Sequence, residues 1–133
     1  MRALARPGAK APLTCSAVGK ACLAFMPRQK ADRMIAKAGV SQLTRKSHIT
    51  TASLWRDLDD TRKRQFAIDN EEHSDGLRCV SAPLFGAKGE VIGALSVSGP
   101  SVRISDQHIA SFGQIVKRVS RDMTKALGGV WPE

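Results

Sequence analysis

The chain has 133 residues, 42% of them hydrophobic and 25% charged, which is enough for one globular domain with its own core. No apolar run approaches a membrane span, the first residues lack the apolar core of a signal peptide, and three cysteines without metal-ligand spacing fit a reduced, cytoplasmic setting. The formal net charge of +9 invites nucleic acid, but the cations are scattered over several predicted elements and aromatics make up only 5%, so a solvated basic surface is the better account.

Met1 to Pro12 mixes arginines with Ala, Gly and Pro and reads as an edge strand or extended entry, broken at Pro7-Gly8. Thr14 or Ser16 then caps a helix through Ala17, Val18, Ala21, Cys22, Leu23 and Phe25 that stops before Pro27. Its first turns are built from small residues, and its free amides make a weak anion site if a ligand reaches them. A second helix is predicted over Arg28 to Ala38, ended by Gly39, followed by an irregular polar stretch from Val40 to Thr50. A third helix starts from a Thr50 or Thr51 cap, carries Leu54, Trp55, Leu58 and Thr61 on one stripe, and ends at Arg62-Lys63-Arg64, charges that suit a helix C-terminus.

Phe66 to Asp69 alternates as a short strand, and a polar connection from Asn70 leads into Gly76 to Pro100, where strand pattern and turn chemistry coincide. Two runs, Leu77 to Phe85 and Val91 to Ser98, flank Gly86-Ala87-Lys88-Gly89, so a β-hairpin is predicted with Phe85 facing Glu90, Cys79 facing Ser96 and Leu77 facing Ser98. One face then carries Arg78, Val80, Ala82, Leu84, Val91, Leu95 and Val97 and must pack against helices. The other carries Leu77, Cys79, Ser81, Pro83 and Phe85 with Ile92, Ala94, Ser96 and Ser98, which suits either a pocket for a small polar ligand or an ordinary half-exposed sheet face. Ser105 caps the last and longest helix, whose apolar stripe Ile109, Phe112, Val116, Val119, Met123 and Leu127 is expected to cover the hairpin and to reach a partner subunit.

Several stretches in order, Pro12-Leu13, Ala17-Val18-Gly19-Lys20-Ala21, Phe66-Ala67-Ile68-Asp69-Asn70-Glu71-Glu72, Gly76-Leu77-Arg78-Cys79-Val80-Ser81-Ala82-Pro83 and Ala94-Leu95-Ser96-Val97-Ser98-Gly99-Pro100, together resemble the effector-binding domain of the IclR-type bacterial transcriptional regulators. The resemblance covers nearly the whole chain. It implies a single α+β domain over residues 1–133, an antiparallel sheet with packed helices similar to GAF and PAS-like sensors, that binds a small carboxylic acid and needs no cofactor or metal. It implies ligand contacts at Ala17, Val18, Asp69, Leu77, Cys79, Ser96 and Ser98, with the helix-start amides on the carboxylate, the serines donating hydrogen bonds and Asp69 accepting one. It further implies a homodimer or homotetramer that meets DNA only through a winged helix-turn-helix domain absent from this chain, and no membrane. Two departures stand out. Against such regulators the chain is expected to lack the early strands and linker, leaving an open sheet edge or an incomplete pocket, and Gln65 stands where glycine is common after the third helix.

Three other readings compete. Cys79 as nucleophile with His73 as base would make an enzyme, but a strand cysteine away from any helix N-terminus has no cause for a lowered pKa. A metal held by Cys79, His73 and Asp69, with Cys15, lacks the spacing of a zinc motif. A dimerisation module built on the last helix is compatible with the sensor reading.

Overall fold

The computed structural model describes residues 12–132, so the extended entry expected before Pro12 lies outside the described residues. The elements are α1 (Ala17–Phe25), α2 (Arg28–Ala38), α3 (Thr51–Arg64), β1 (Ala67–Asn70), β2 (Leu77–Phe85), β3 (Val91–Pro100) and α4 (Asp106–Ala126). The strands form one antiparallel sheet in the order β1-β2-β3. The two caps with alternatives are resolved, and Ser105 caps α4 as expected. Ser16 Oγ accepts from Gly19 N, Thr50 Oγ1 accepts from Ser53 N, and Ser105 closes a reciprocal capping box with His108. Gln65 ends α3 at φ 69°, ψ 22°, a left-handed conformation that favours glycine.

The two sheet faces are covered differently. α4 lies across the face carrying Val80 and Ala82, in a core with Phe66, Ile104, Ile109 and Val116. α1 lies on the other face, where Phe25 meets Phe85 edge-on at 5.5 Å between ring centroids. A second core joins Leu23 and Ala24 of α1 to Ala31 and Ile35 of α2 and to Leu54 and Leu58 of α3.

The hairpin corrects the expected register. Phe85 pairs with Val91, not Glu90; a bulge follows, so that Leu84 pairs with Gly93, Cys79 with Ser98 and Leu77 with Pro100. The connection is one residue longer than the glycine-bounded loop, closed by Gly86 N donating to Glu90 O at 2.8 Å, and the bulge adds one more residue on β3. The total slip is two residues, so the faces assigned by alternation hold for β2 and for β3 beyond the bulge. Val91 exchanges sides, and Ile92 is left unpaired in the bulge.

The stripe expected on α4 is corrected as well. Its buried residues are Ile109, Gly113, Val116, Ser120 and Thr124, whereas Val119, Met123 and Leu127 are 40%, 38% and 62% exposed. The cause is the shortness of β1. With four residues it leaves the second half of β2 without a strand on that side, and α4 supplies the missing hydrogen bonds: Ser120 Oγ donates to Pro83 O, and Thr124 Oγ1 accepts from Phe85 N at 3.2 Å. Gly113 permits the approach, since a Cβ there would lie 2.3 Å from the Phe66 ring.

Candidate functional site

On the α1 side of the sheet, Cys79 stands in the centre of β2 with Asp69 opposite it on β1 and Ser98 opposite it on β3; Ser96 follows two residues along, opposite Ser81. The four candidate residues Asp69, Cys79, Ser96 and Ser98 therefore share one face. Burial, reinforced by the Asp69 carboxylate, pushes the Cys79 thiol up to about 11, against the smaller effect of hydrogen bonds from Ser98 and Ser96. Such a thiol is the opposite of an activated nucleophile.

Asp69 is buried, and its Oδ1 accepts from the backbone N–H of Glu72 at 2.8 Å and of His73 at 3.3 Å. Burial outweighs those bonds and raises its pKa. Burial, together with the Asp69 and Glu72 carboxylates, raises the pKa of Cys15 in the turn before α1. α1 packs on all three strands. At its start Ala17 is buried and Val18 half-buried, and their amides precede the first intrahelical bond, Lys20 N to Ser16 O. Leu77, half-buried at the start of β2, lies on the same face two residues from Cys79. Ser96 and Ser98 are exposed, so the arrangement is an open polar face and not an enclosed cavity. A cleft of about 390 Å³ lies on the opposite face, between Phe66, Ile68 and Arg78 of the sheet and Ile109 of α4, and includes none of the seven predicted residues.

Behind the face sits a cluster that sequence reasoning missed. Lys20 is fully buried, and its Nζ donates to Ile68 O at 2.5 Å, Asp57 Oδ2 at 2.6 Å and Glu72 Oε1 at 2.7 Å. His48 Nε2 lies 2.8 Å from the same Asp57 oxygen, and His48 Nδ1 lies 2.6 Å from Ser53 Oγ. Burial pushes the Asp57 carboxyl up, but the hydrogen bonds and charges of His48 and Lys20 overcome it and hold the group well below the usual carboxylate range. The irregular stretch before α3 closes the cluster from outside, with Ser47 Oγ donating to Glu72 O and Thr44 Oγ1 to Glu71 O, both at 2.5 Å. Lys20 is the one charge in the otherwise small and apolar AVGKACLAF of α1, and that isolation was the available signal.

Among the described residues the group of donors close enough to hold a metal is His48, Asp57 and Glu72, a different set from the Cys79, His73 and Asp69 weighed from the sequence, and the Lys20 ammonium lies 2.6 Å from Asp57 Oδ2 and 2.7 Å from Glu72 Oε1. His73 instead makes a local contact, its Nδ1 3.0 Å from Ser74 Oγ.

The chain is thus an α+β domain with one antiparallel sheet and helices on both of its faces. The chain belongs to the IclR family: the family described as bacterial transcriptional regulator IclR C-terminal matches residues 1–125. It is 36% identical over 130 residues to the transcriptional repressor IclR of Escherichia coli K12, covering 98% of this chain and 47% of that protein. Over 128 residues it is 33% identical to the repressor AllR of the same strain, again covering 47% of it. Its backbone matches the crystal structure of the C-terminal domain of the E. coli regulator KdgR with a TM-score of 0.81 at 30% identity, over 88% of this chain and 71% of that one. The chain spans about half the length of the curated relatives it matches, and these are named as transcriptional repressors, not as enzymes. No helix among the described residues is long and apolar enough to cross a membrane.

Proposed function

We propose that the chain is the effector-sensing part of a cytoplasmic transcriptional regulator, and that it binds a small carboxylic acid between the start of α1 and the Asp69, Cys79, Ser96 and Ser98 face. The observation that supports this most is the convergence of those four side chains, from three strands, on the face of the sheet against which α1 packs. Amides at a helix start favour a carboxylate, serine hydroxyls donate, and a buried aspartate accepts from a ligand hydroxyl, which together select a short hydroxy- or oxo-acid over an apolar ligand. Leu77 forms the apolar end of the same face.

Ligand binding acts by population shift. It favours the arrangement in which α1 closes on the sheet, and Lys20, which ties α1 to the loop bearing Glu72, carries that change toward α3. In the whole regulator the signal passes to a DNA-binding domain outside this chain, and through subunit packing in a homodimer or homotetramer.

Calorimetric titration with a panel of short oxo-acids, sugar acids and aromatic acids tests this, run beside a Ser96→Ala, Ser98→Ala double variant. Saturable binding by one class of acid, weakened in the double variant, is expected. Failure of every acid to bind the folded chain overturns the reading for this chain.

A further inference from the structure

The cleft on the α4 side of the sheet is built from the alternation of β1 and the start of α4. Ala67 and Asp69 face α1, so Phe66, Ile68 and Asn70 turn to the other side, where Asn70 stands opposite Arg78 of β2. Asp106, Ile109 and Ala110, at helical spacing, form the facing wall. One turn further on, Gly113 brings α4 against the Phe66 ring, so floor and wall are fixed by core contacts. The enclosed volume, about 390 Å³, is that of a small-molecule site.

The polar groups of the cleft gather at one end, since Arg78 pairs across the strands with Asn70 and bonds to Asp106, and the remainder of the lining is apolar. Arg78 is held there by Nη1 donating to Ile104 O and Nη2 donating to Asp106 Oδ1, both at 2.8 Å. Its Nε is buried and has no hydrogen-bond partner among the described residues. The Nε and Nη2 hydrogens lie side by side on one edge of a guanidinium, an edge that grips both oxygens of a carboxylate. Asp106 places one oxygen on that edge and leaves the second donor unsatisfied, although a buried charged donor is costly to leave unpaired. The Asp106 side chain is itself 95% exposed, and an ion pair so open to solvent is readily displaced. The sequence before Pro12 contains no Asp or Glu, so no carboxylate for this edge comes from there.

We propose that this cleft is a second ligand site, on the side of the sheet away from Asp69, Cys79, Ser96 and Ser98, and that it takes a small carboxylic acid with an apolar, ring-sized body. The carboxylate displaces Asp106 and bridges Nε and Nη2 of Arg78, with the Asn70 amide beside it. The body lies between Phe66 and Ile68 of the sheet and Ile109 and Ala110 of α4. An apolar lining disfavours a ligand hydroxyl, so the two sides of the sheet call for different acids.

Titration of the isotope-labelled 133-residue chain with benzoate, followed by NMR beside benzamide as the uncharged control, tests this. Saturable shifts at the cleft residues are expected, with the Arg78 Nε proton moving downfield, and benzoate binding at least about tenfold tighter than benzamide. Ala110→Phe, at an exposed helix position, fills the cleft and is expected to abolish the shifts. Asp106→Asn removes the competing carboxylate and is expected to tighten binding about threefold or more. Ser96→Ala with Ser98→Ala is expected to leave these shifts unchanged, which separates this site from the one on the α1 side. The proposal is overturned by an Arg78 Nε proton that does not respond, by equal affinity for benzamide, by binding that survives Ala110→Phe, or by binding that Asp106→Asn fails to strengthen.

Discussion

The Lys20 ammonium lies 2.7 Å from Glu72 Oε1, with the lysine side chain 0% exposed and the glutamate 9%. This pair joins the first helix to the loop whose amides hold Asp69, so one buried charge positions both sides of the candidate site. Lys20→Met leaves the Asp57 and Glu72 carboxylates without their cation, and urea unfolding is expected to show a loss of about 3–5 kcal/mol. Adding Asp57→Asn and Glu72→Gln to that variant is expected to recover part of the loss, since no uncompensated charge then remains.

Asp57 and Asp69 are expected to respond to acid in opposite senses. A carboxyl whose pKa is lowered by folding contributes stability above its unfolded value, near 4, and loses it as the pH falls through the folded value. Asp57→Asn should therefore weaken the protein at pH 7, with a deficit that shrinks below about pH 4. A carboxyl whose pKa is raised by folding costs stability once it ionises. Asp69→Asn, which still accepts from the two loop amides, should be more stable than the native chain at pH 7 and equal to it in acid. Urea titrations at the two pH values measure both differences.

Cys79 should alkylate slowly. With its thiol pushed up to about 11, iodoacetamide at pH 8 is expected to react on the order of 100-fold more slowly than with a free thiol. Asp69→Asn should speed the reaction by removing the neighbouring charge, and Ser96→Ala with Ser98→Ala should slow it further. Mass spectrometry of the modified peptide reads each rate.

Two backbone positions predict opposite outcomes in thermal unfolding. Gln65 holds φ 69° without being glycine, so Gln65→Gly is expected to stabilise by about 1 kcal/mol. A Cβ on Gly19 would lie 2.1 Å from Leu13 O, a backbone atom with little room to move, so Gly19→Ala is expected to cost about 1–3 kcal/mol.

Much of this architecture was legible in residue order. The cap choices, Thr14 or Ser16, Thr50 or Thr51, and Ser105, the stop at Gly39 and the faces of β2 follow from local rules: a hydroxyl that accepts an amide, a glycine that ends a helix, and side chains that alternate. The hairpin part of the candidate face followed too, because Cys79, Ser96 and Ser98 share a side under any slip of two residues, whereas Asp69 came only from the family resemblance. The Lys20 cluster did not, because its partners come from α3, from the loop before it and from the loop after β1, and no spacing along the chain announces that they meet.

The sequence by itself determined which elements form and which side chains share a face, since both depend on periodicity within one strand or one helix. The tertiary structure decided the register of β3, through a bulge that costs one unpaired residue and leaves the faces beyond it unchanged. It also decided which flank of α4 is buried. An apolar stripe alone would have turned Val119 and Met123 inward, but the unpaired carbonyl of Pro83 and amide of Phe85 required the hydroxyls of Ser120 and Thr124. Leaving backbone groups buried without partners costs more than exposing two apolar side chains, and the helix turns accordingly.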